Sequence, residues 1–124
     1  PHAISYPFTS LYNISHGHAV SLTLEKFIKF NYLNFSKSDC NFNLKNRYED
    51  IFSIFKVIDI YDFENFIINL KKKANLESDF TKLKIDLSNN FSKIMRGINQ
   101  LRLRNNPIKL EKADIKKIIL DKII

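Results

Sequence analysis

The sequence predicts an all-α protein, and three observations support that class. Apolar residues recur at three- and four-residue steps in several separate segments. Only 2 Gly and 3 Pro occur among 124 residues, too few for a turn-rich β-sandwich. No run alternates apolar and polar residues clearly enough to read as a strand, and no internal repeat is visible. Hydrophobic residues make up 44% of the chain, with 11 Phe and 5 Tyr, which is enough to bury a core and argues against global disorder.

Each helix has its own justification. Residues 19–33 place Val20, Leu24, Phe27 and Ile28 on one face. The polar stretch NFSKSDCNFNLKN then breaks the pattern. A second helix follows, with Tyr48, Ile51, Phe52, Phe55 and Ile58 facing inward. Asp62 is the expected N-cap of a third helix carrying Phe63, Phe66, Ile67 and Leu70, whose closing lysines suit the negative end of a helix dipole. The stretch ANLESDFTKLKIDLS reads as a loop. Ser88 is the expected cap of a fourth helix through Phe91, Ile94, Met95 and Ile98. RLRNNP is a turn, because Asn tolerates unusual backbone angles and Pro107 blocks continuation. Residues 111–124 form the last helix, with Ile115, Ile118, Ile119 and Ile123 inward.

Composition narrows the class further. The formal charge of +7 raises the question of nucleic acid, since basic residues cluster in LKKKANL and RGINQLRLR. Acidic residues are scattered among the rest, and a chain this rich in Lys, Asn and Ile carries a basic surface without any such partner. A single Cys forms no internal disulfide and fits a reducing compartment, so a cytoplasmic location is expected. No apolar run approaches the roughly 18 residues of a membrane span. No signal-peptide pattern is present either. The chain opens on Pro1 rather than Met, which reads as a fragment or a processed product.

All three histidines, His2, His16 and His18, lie in PHAISYPFTSLYNISHGHAV. On one continuous helix, fourteen residues separate His2 from His16 by about 21 Å, too far to share an ion. Pro7 is expected to interrupt that helix, and YNIS supplies a further break before Gly17. The segment can then fold back and bring both rings to one point from two helices, with Gly17 leaving space beside His16. Imidazole nitrogen suits Fe, Zn or Ni. Two imidazoles are not a site, since a catalytic metal usually takes at least three protein ligands. On spacing alone the alternative stays open: His2 and His18 as surface residues and His16 as a helix cap.

The same stretch resembles the signature of the iron-containing alcohol dehydrogenases. In that family a histidine on an alanine-rich helix is followed fourteen residues later by the histidine of a P-H-G or S-H-G turn. Both bind the catalytic metal, so the resemblance implies that His2 and His16 are metal ligands and Gly17 the family glycine. The other end is similar too: Asn105, Asn106, Pro107, Leu110, Asp114 and Ile115 match the family's closing Asn-Asn-Pro turn and helix. The implied fold is the C-terminal helical portion of the iron-containing alcohol dehydrogenase (dehydroquinate synthase-like) fold. Residues 1–124 then form a partial helical metal-binding domain. The NAD(P)-binding domain, and an Asp and a His completing the metal shell, lie upstream of this stretch.

Two positions depart from the family pattern. Many members carry a second histidine four residues after the first, where this chain has Tyr6. A phenol with an ordinary pKa near 10 is a poor base at neutral pH, so Tyr6 reads as a pocket wall rather than a proton carrier. Arg102 stands near the place of a small pocket residue, where it either clamps an anionic substrate or is simply solvated. HGHAV and Arg102 resemble the subgroup that reduces phosphonoacetaldehyde. His18 follows the glycine as in some members and is not expected to be a ligand.

The implied activity of the intact enzyme is reversible hydride transfer between a primary alcohol or aldehyde and NAD(P). Fe2+ or Zn2+ acts there as a Lewis acid on the substrate oxygen. The resemblance implies a small, potentially anionic substrate and an intact enzyme that often pairs as a homodimer. It implies neither nucleic acid nor membrane as partner, and no catalytic side chain is assigned within the stretch. Residues 1–124 alone are expected to be inactive. The competing class is a non-enzymatic basic helical interaction module that binds nucleic acid through Arg102 and Arg104.

Overall fold

Pro7 does not interrupt the first helix. In the computed structural model, which describes residues 1–123, α1 (His2–Tyr12) runs straight through it. Proline has no N–H to offer the carbonyl of Ala3, four residues back. The backbone N–H of Asn99 donates to that carbonyl instead, at 3.1 Å. The chain break falls later, at Asn13, which takes the left-handed conformation (φ 53°) that Asn tolerates at helix ends.

The helix expected at 19–33 is two helices, α2 (His16–Ser21) and α3 (Leu24–Leu33). Buried Thr23 leaves helical angles at φ −127°, and its carbonyl starts α3 by accepting the Phe27 N–H at 3.0 Å. A 3₁₀ turn (Phe35–Lys37) precedes α4 (Leu44–Phe55), which Asn43 caps through the Asn46 N–H. Lys56 turns left-handed (φ 55°) and the Val57 N–H reaches back to the Phe52 carbonyl at 3.0 Å, closing α4. Ile58, expected to face inward, therefore lies beyond the helix and is 90% exposed.

The cap of α5 (Ile60–Lys73) is Asp59, not Asp62: its Oδ1 accepts the N–H groups of Tyr61 and Asp62, both at 2.9 Å. Asp62 plays the reciprocal part, its Oδ2 accepting the Ile58 N–H at 3.0 Å. Asp86 rather than Ser88 caps α6 (Leu87–Gly97). The expected turn at RLRNNP begins with a short helix, α7 (Gln100–Leu103). The last helix, α8 (Lys112–Ile119), stops well before 124, and Asp121 is left-handed beyond it. Ile124 lies outside the described residues.

The all-α expectation holds. Among the described residues no strand forms, and one isolated bridge pairs Ser38 with Ile108. None of these helices is long and apolar enough to cross a membrane. Helix α1 packs on α2, α6 and α7, while α3 packs on α5 and α8. Ile4, Phe8, Leu22, Phe27, Ile60, Ile94 and Ile118 form the inaccessible centre. Phe55, Phe66 and Leu70, expected inside, are instead on the exposed rim of α4 and α5.

The lysines closing α5 do not form a uniform solvated end. Lys71 turns inward, and its Nζ donates to Glu25 Oε1 at 2.7 Å and to the Ser21 carbonyl at 3.1 Å. Both partners of this ion pair are nearly inaccessible. Removing one partner strands the other charge in a low-dielectric site. Lys71→Ala is expected to lower unfolding free energy by about 3–5 kcal/mol. Lys72→Ala, on the exposed side, should change it by no more than about 0.5 kcal/mol in urea denaturation. Equal losses for the two variants would show that the buried pair does not hold α3 to α5.

Tyr48 on α4 packs edge-on against Tyr32, with ring centroids 5.4 Å apart. Burial pushes its phenol up to about 12, against a smaller opposing pull from Asn31. The neutral form is favoured in the fold, whereas the unfolded chain ionises near the ordinary value of about 10. Tyr48 thus contributes stability that is present below pH 10 and lost as pH rises towards 12. Stability measured across that window should fall in the protein and fall less in Tyr48→Phe.

Candidate metal centre

His2 and His16 are the first residues of α1 and α2, and a three-residue connection at 13–15 folds α2 back beside α1. Their Nε2 atoms are 2.9 Å apart, and their rings meet edge-on with centroids 4.6 Å apart. Two nitrogens bound to one ion at about 2.0–2.1 Å lie about 2.9–3.4 Å apart for angles from square to tetrahedral. The separation fits one shared cation. In the free pair, one Nε2–H donates to the other Nε2. His2 is exposed, yet its imidazole is held below the ordinary value. Partial desolvation by its neighbours is the first cause, followed by the positive charges of His16 and Arg102. That favours neutral imidazole, the form that ligates metal.

The donor set is incomplete within this chain. Among the described residues, no group of three or more His, Cys, Asp or Glu side chains is placed to hold an ion. The two imidazole nitrogens offer two donors to a cation. His18 is not part of the pair: its Nε2–H donates to the Glu77 carbonyl at 2.6 Å, tying α2 to the loop after α5.

The structure brings all four singled-out residues together. The Tyr6 ring lies 6.5 Å from that of His2 and 6.1 Å from that of His16. The Arg102 guanidinium sits over the Tyr6 face, 5.8 Å from its centroid. Among the described residues Arg102 makes no ion pair with a carboxylate. A cleft of about 320 Å³ runs between His2 and Arg102, walled by Phe27, Asn31 and Asn106. A larger cleft of about 760 Å³ shares the turn at 105–107, but His2, which lines the smaller one, is absent from it. The smaller one is therefore the better candidate for chemistry.

Three residues that the sequence did not single out hold this arrangement. The Asn99 backbone N–H docks on Ala3, and its Oδ1 caps α7 by accepting the Arg102 N–H at 3.0 Å. Asn31 and Asn106 exchange two amide hydrogen bonds, 2.9 and 2.8 Å, that pin the turn to α3. Ser5, fully buried, donates to the His2 carbonyl at 2.8 Å and lies 3.5 Å from His16 Nδ1. Asn99, two residues past a glycine that ends a helix, was the only one with a readable signal.

Residues 1–123 match the family model described as "Fe-containing alcohol dehydrogenase family, C-terminal". The chain belongs to the iron-containing alcohol dehydrogenases. Searches of curated proteins and of solved structures return no match. Its all-helical fold is that of the C-terminal helical domain of these dehydrogenases, and the two ends that carry the resemblance meet in space at the cleft.

The two glycines of this dehydrogenase chain differ. A Cβ at Gly97 would sit 2.8 Å from Pro7 Cβ, whereas one at Gly17 meets nothing within 4 Å. The space expected beside His16 is thus real, but nothing in the chain requires it. Gly97→Ala should destabilise the protein by about 1–3 kcal/mol through forced separation of α6 from α1. Gly17→Ala should leave stability within about 0.5 kcal/mol, and thermal melts of the two variants check both values.

Proposed function

We propose that the protein containing this chain is a metal- and NAD(P)-dependent alcohol dehydrogenase or aldehyde reductase, in which His2 and His16 hold two positions of a divalent metal, Fe2+ or Zn2+. The observation that carries the reading is the 2.9 Å approach of two imidazole nitrogens from separate helices. A bound metal supplies Lewis-acid polarisation of the substrate oxygen, and a nicotinamide supplies or accepts the hydride. The remaining ligands and the nucleotide-binding domain belong to chain beyond residues 1–124, so these residues alone show no turnover. A reducing compartment such as the cytoplasm suits the free Cys40.

The substrate reading rests on Arg102. What supports it is a guanidinium with an aromatic face on one side, no carboxylate partner among the described residues and a cleft on the other. Tyr6 stacks on the arginine from behind the pocket, and Phe27 keeps the inner wall apolar. The substrate class is a small alcohol or aldehyde bearing an anionic tail, of which phosphonoacetaldehyde is the type. The basic-module alternative has less support: Lys71 is buried in an ion pair and Arg102 is stacked on Tyr6, which leaves fewer cations on a common outer face.

His16→Ala in the full-length protein should reduce bound metal and NAD(P)-linked turnover together. Arg102→Ala should raise KM for an anionic aldehyde roughly ten- to hundred-fold, the loss of a charged hydrogen bond, while sparing a neutral aldehyde of similar size. Full metal content in the first variant would refute the ligand assignment. Equal effects on both aldehydes in the second would refute the anion site. A gel shift that weakens steeply with salt, together with an absence of turnover, would favour the nucleic-acid module.

A further inference from the structure

We infer that Ser5 is a positioning residue for the histidine pair: its buried hydroxyl fixes the proton of His16 on Nδ1 and so leaves the Nε2 lone pair free to ligate. The inference rests on the metal-binding reading above. Ser5 has no solvent-accessible surface and lies one turn along α1 from His2. A hydroxyl has one proton to give. The His2 carbonyl takes it at 2.8 Å, a common use of a serine within a helix. The Ser5 oxygen keeps its lone pairs, and His16 Nδ1 lies 3.5 Å from it, the outer limit of a hydrogen bond.

With both imidazoles neutral, only one assignment of protons satisfies all three contacts. Nδ1 of His16 must donate, because the serine proton is already committed to the shorter bond. Neutral imidazole then has no proton left for Nε2, which becomes an acceptor. In the metal-free chain His2 supplies the donor, its Nε2–H pointing at His16 Nε2 across 2.9 Å. The three bonds form a closed circuit: the His2 ring to the His16 ring, the His16 ring to Ser5, and Ser5 to the His2 backbone. One side chain therefore registers both rings against each other. Ligating histidines commonly donate their second ring N–H in this way, and loss of such a partner costs about 10–100-fold in metal affinity.

The test uses the full-length protein and its Ser5→Ala variant, with Ser5→Thr as the conservative rescue. Nitrogen-15 NMR of the metal-free protein reads the His16 tautomer, and competition with a chelator reads Zn2+ affinity. Wild type should show His16 as the Nδ1–H tautomer. Ser5→Ala should show a mixture and bind Zn2+ about 10–100-fold more weakly. Ser5→Thr should return both readouts towards wild type. If Ser5→Ala does not fold, Ser5→Cys, a poorer acceptor of similar size, takes its place. An unchanged tautomer with unchanged Zn2+ affinity overturns the assignment. The tautomer is read without metal, so it decides the role of Ser5 even where wild type proves not to bind Zn2+, an outcome that would instead defeat the metal reading.

Discussion

One missing hydrogen sets the architecture around the histidines. Pro7 offers no N–H, so the Ala3 carbonyl is unclaimed within its own helix. Asn99 claims it from a distant part of the chain, and Gly97 lets α6 approach Pro7 closely enough for that bond to form. The same Asn99 caps the helix that bears Arg102. A proline that reads as a helix breaker is therefore the point at which the end of the chain is fastened to its beginning. Buried backbone acceptors are almost always paired, and here the pairing carries a guanidinium to within reach of two imidazoles.

The sequence made the helical class legible because its core residues repeat at helical spacing: Ile94 and Ile98, Phe63 and Ile67, Ile115 and Ile118 are all buried. Helix ends were harder, for physical reasons. Left-handed closures fall on Lys56 and Asp121 rather than on glycine, so no residue type announced them. At α5 and α6 two capping residues stand within three positions of each other, and hydrogen-bond geometry alone separates Asp59 from Asp62 and Asp86 from Ser88. The approach of His2 to His16 was legible as spacing and the break in YNIS, which falls at Asn13, whereas the break expected at Pro7 does not occur. Ser5 and Asn31 were invisible because one acts through burial and the other through a partner remote in sequence.

Charge is distributed unevenly, and that distribution explains more than the net value of +7. Lys71 and Glu25 neutralise each other between α3 and α5, and Lys29 meets Glu64 at 2.9 Å at their partly shielded edge. These pairs tie α5 to α3, whose Phe27 and Asn31 wall the cleft, and Arg102 is the basic side chain that lines it. The Asn31–Asn106 pair extends the same logic without charge: two neutral amides, each satisfied by the other, fix a turn where an ion pair would carry a larger desolvation penalty.

The two imidazoles are brought together by a hairpin of neighbouring helices, whereas the arginine beside them arrives from the opposite end of the polypeptide. Short loops close at small entropic cost, and contacts near in sequence form early. Nucleation of the α1–α2 hairpin can thus pair the rings while α5 and α8 are still uncollapsed. The two kinds of contact therefore close loops of very different length: fourteen residues between the imidazoles, and about a hundred between His2 and Arg102.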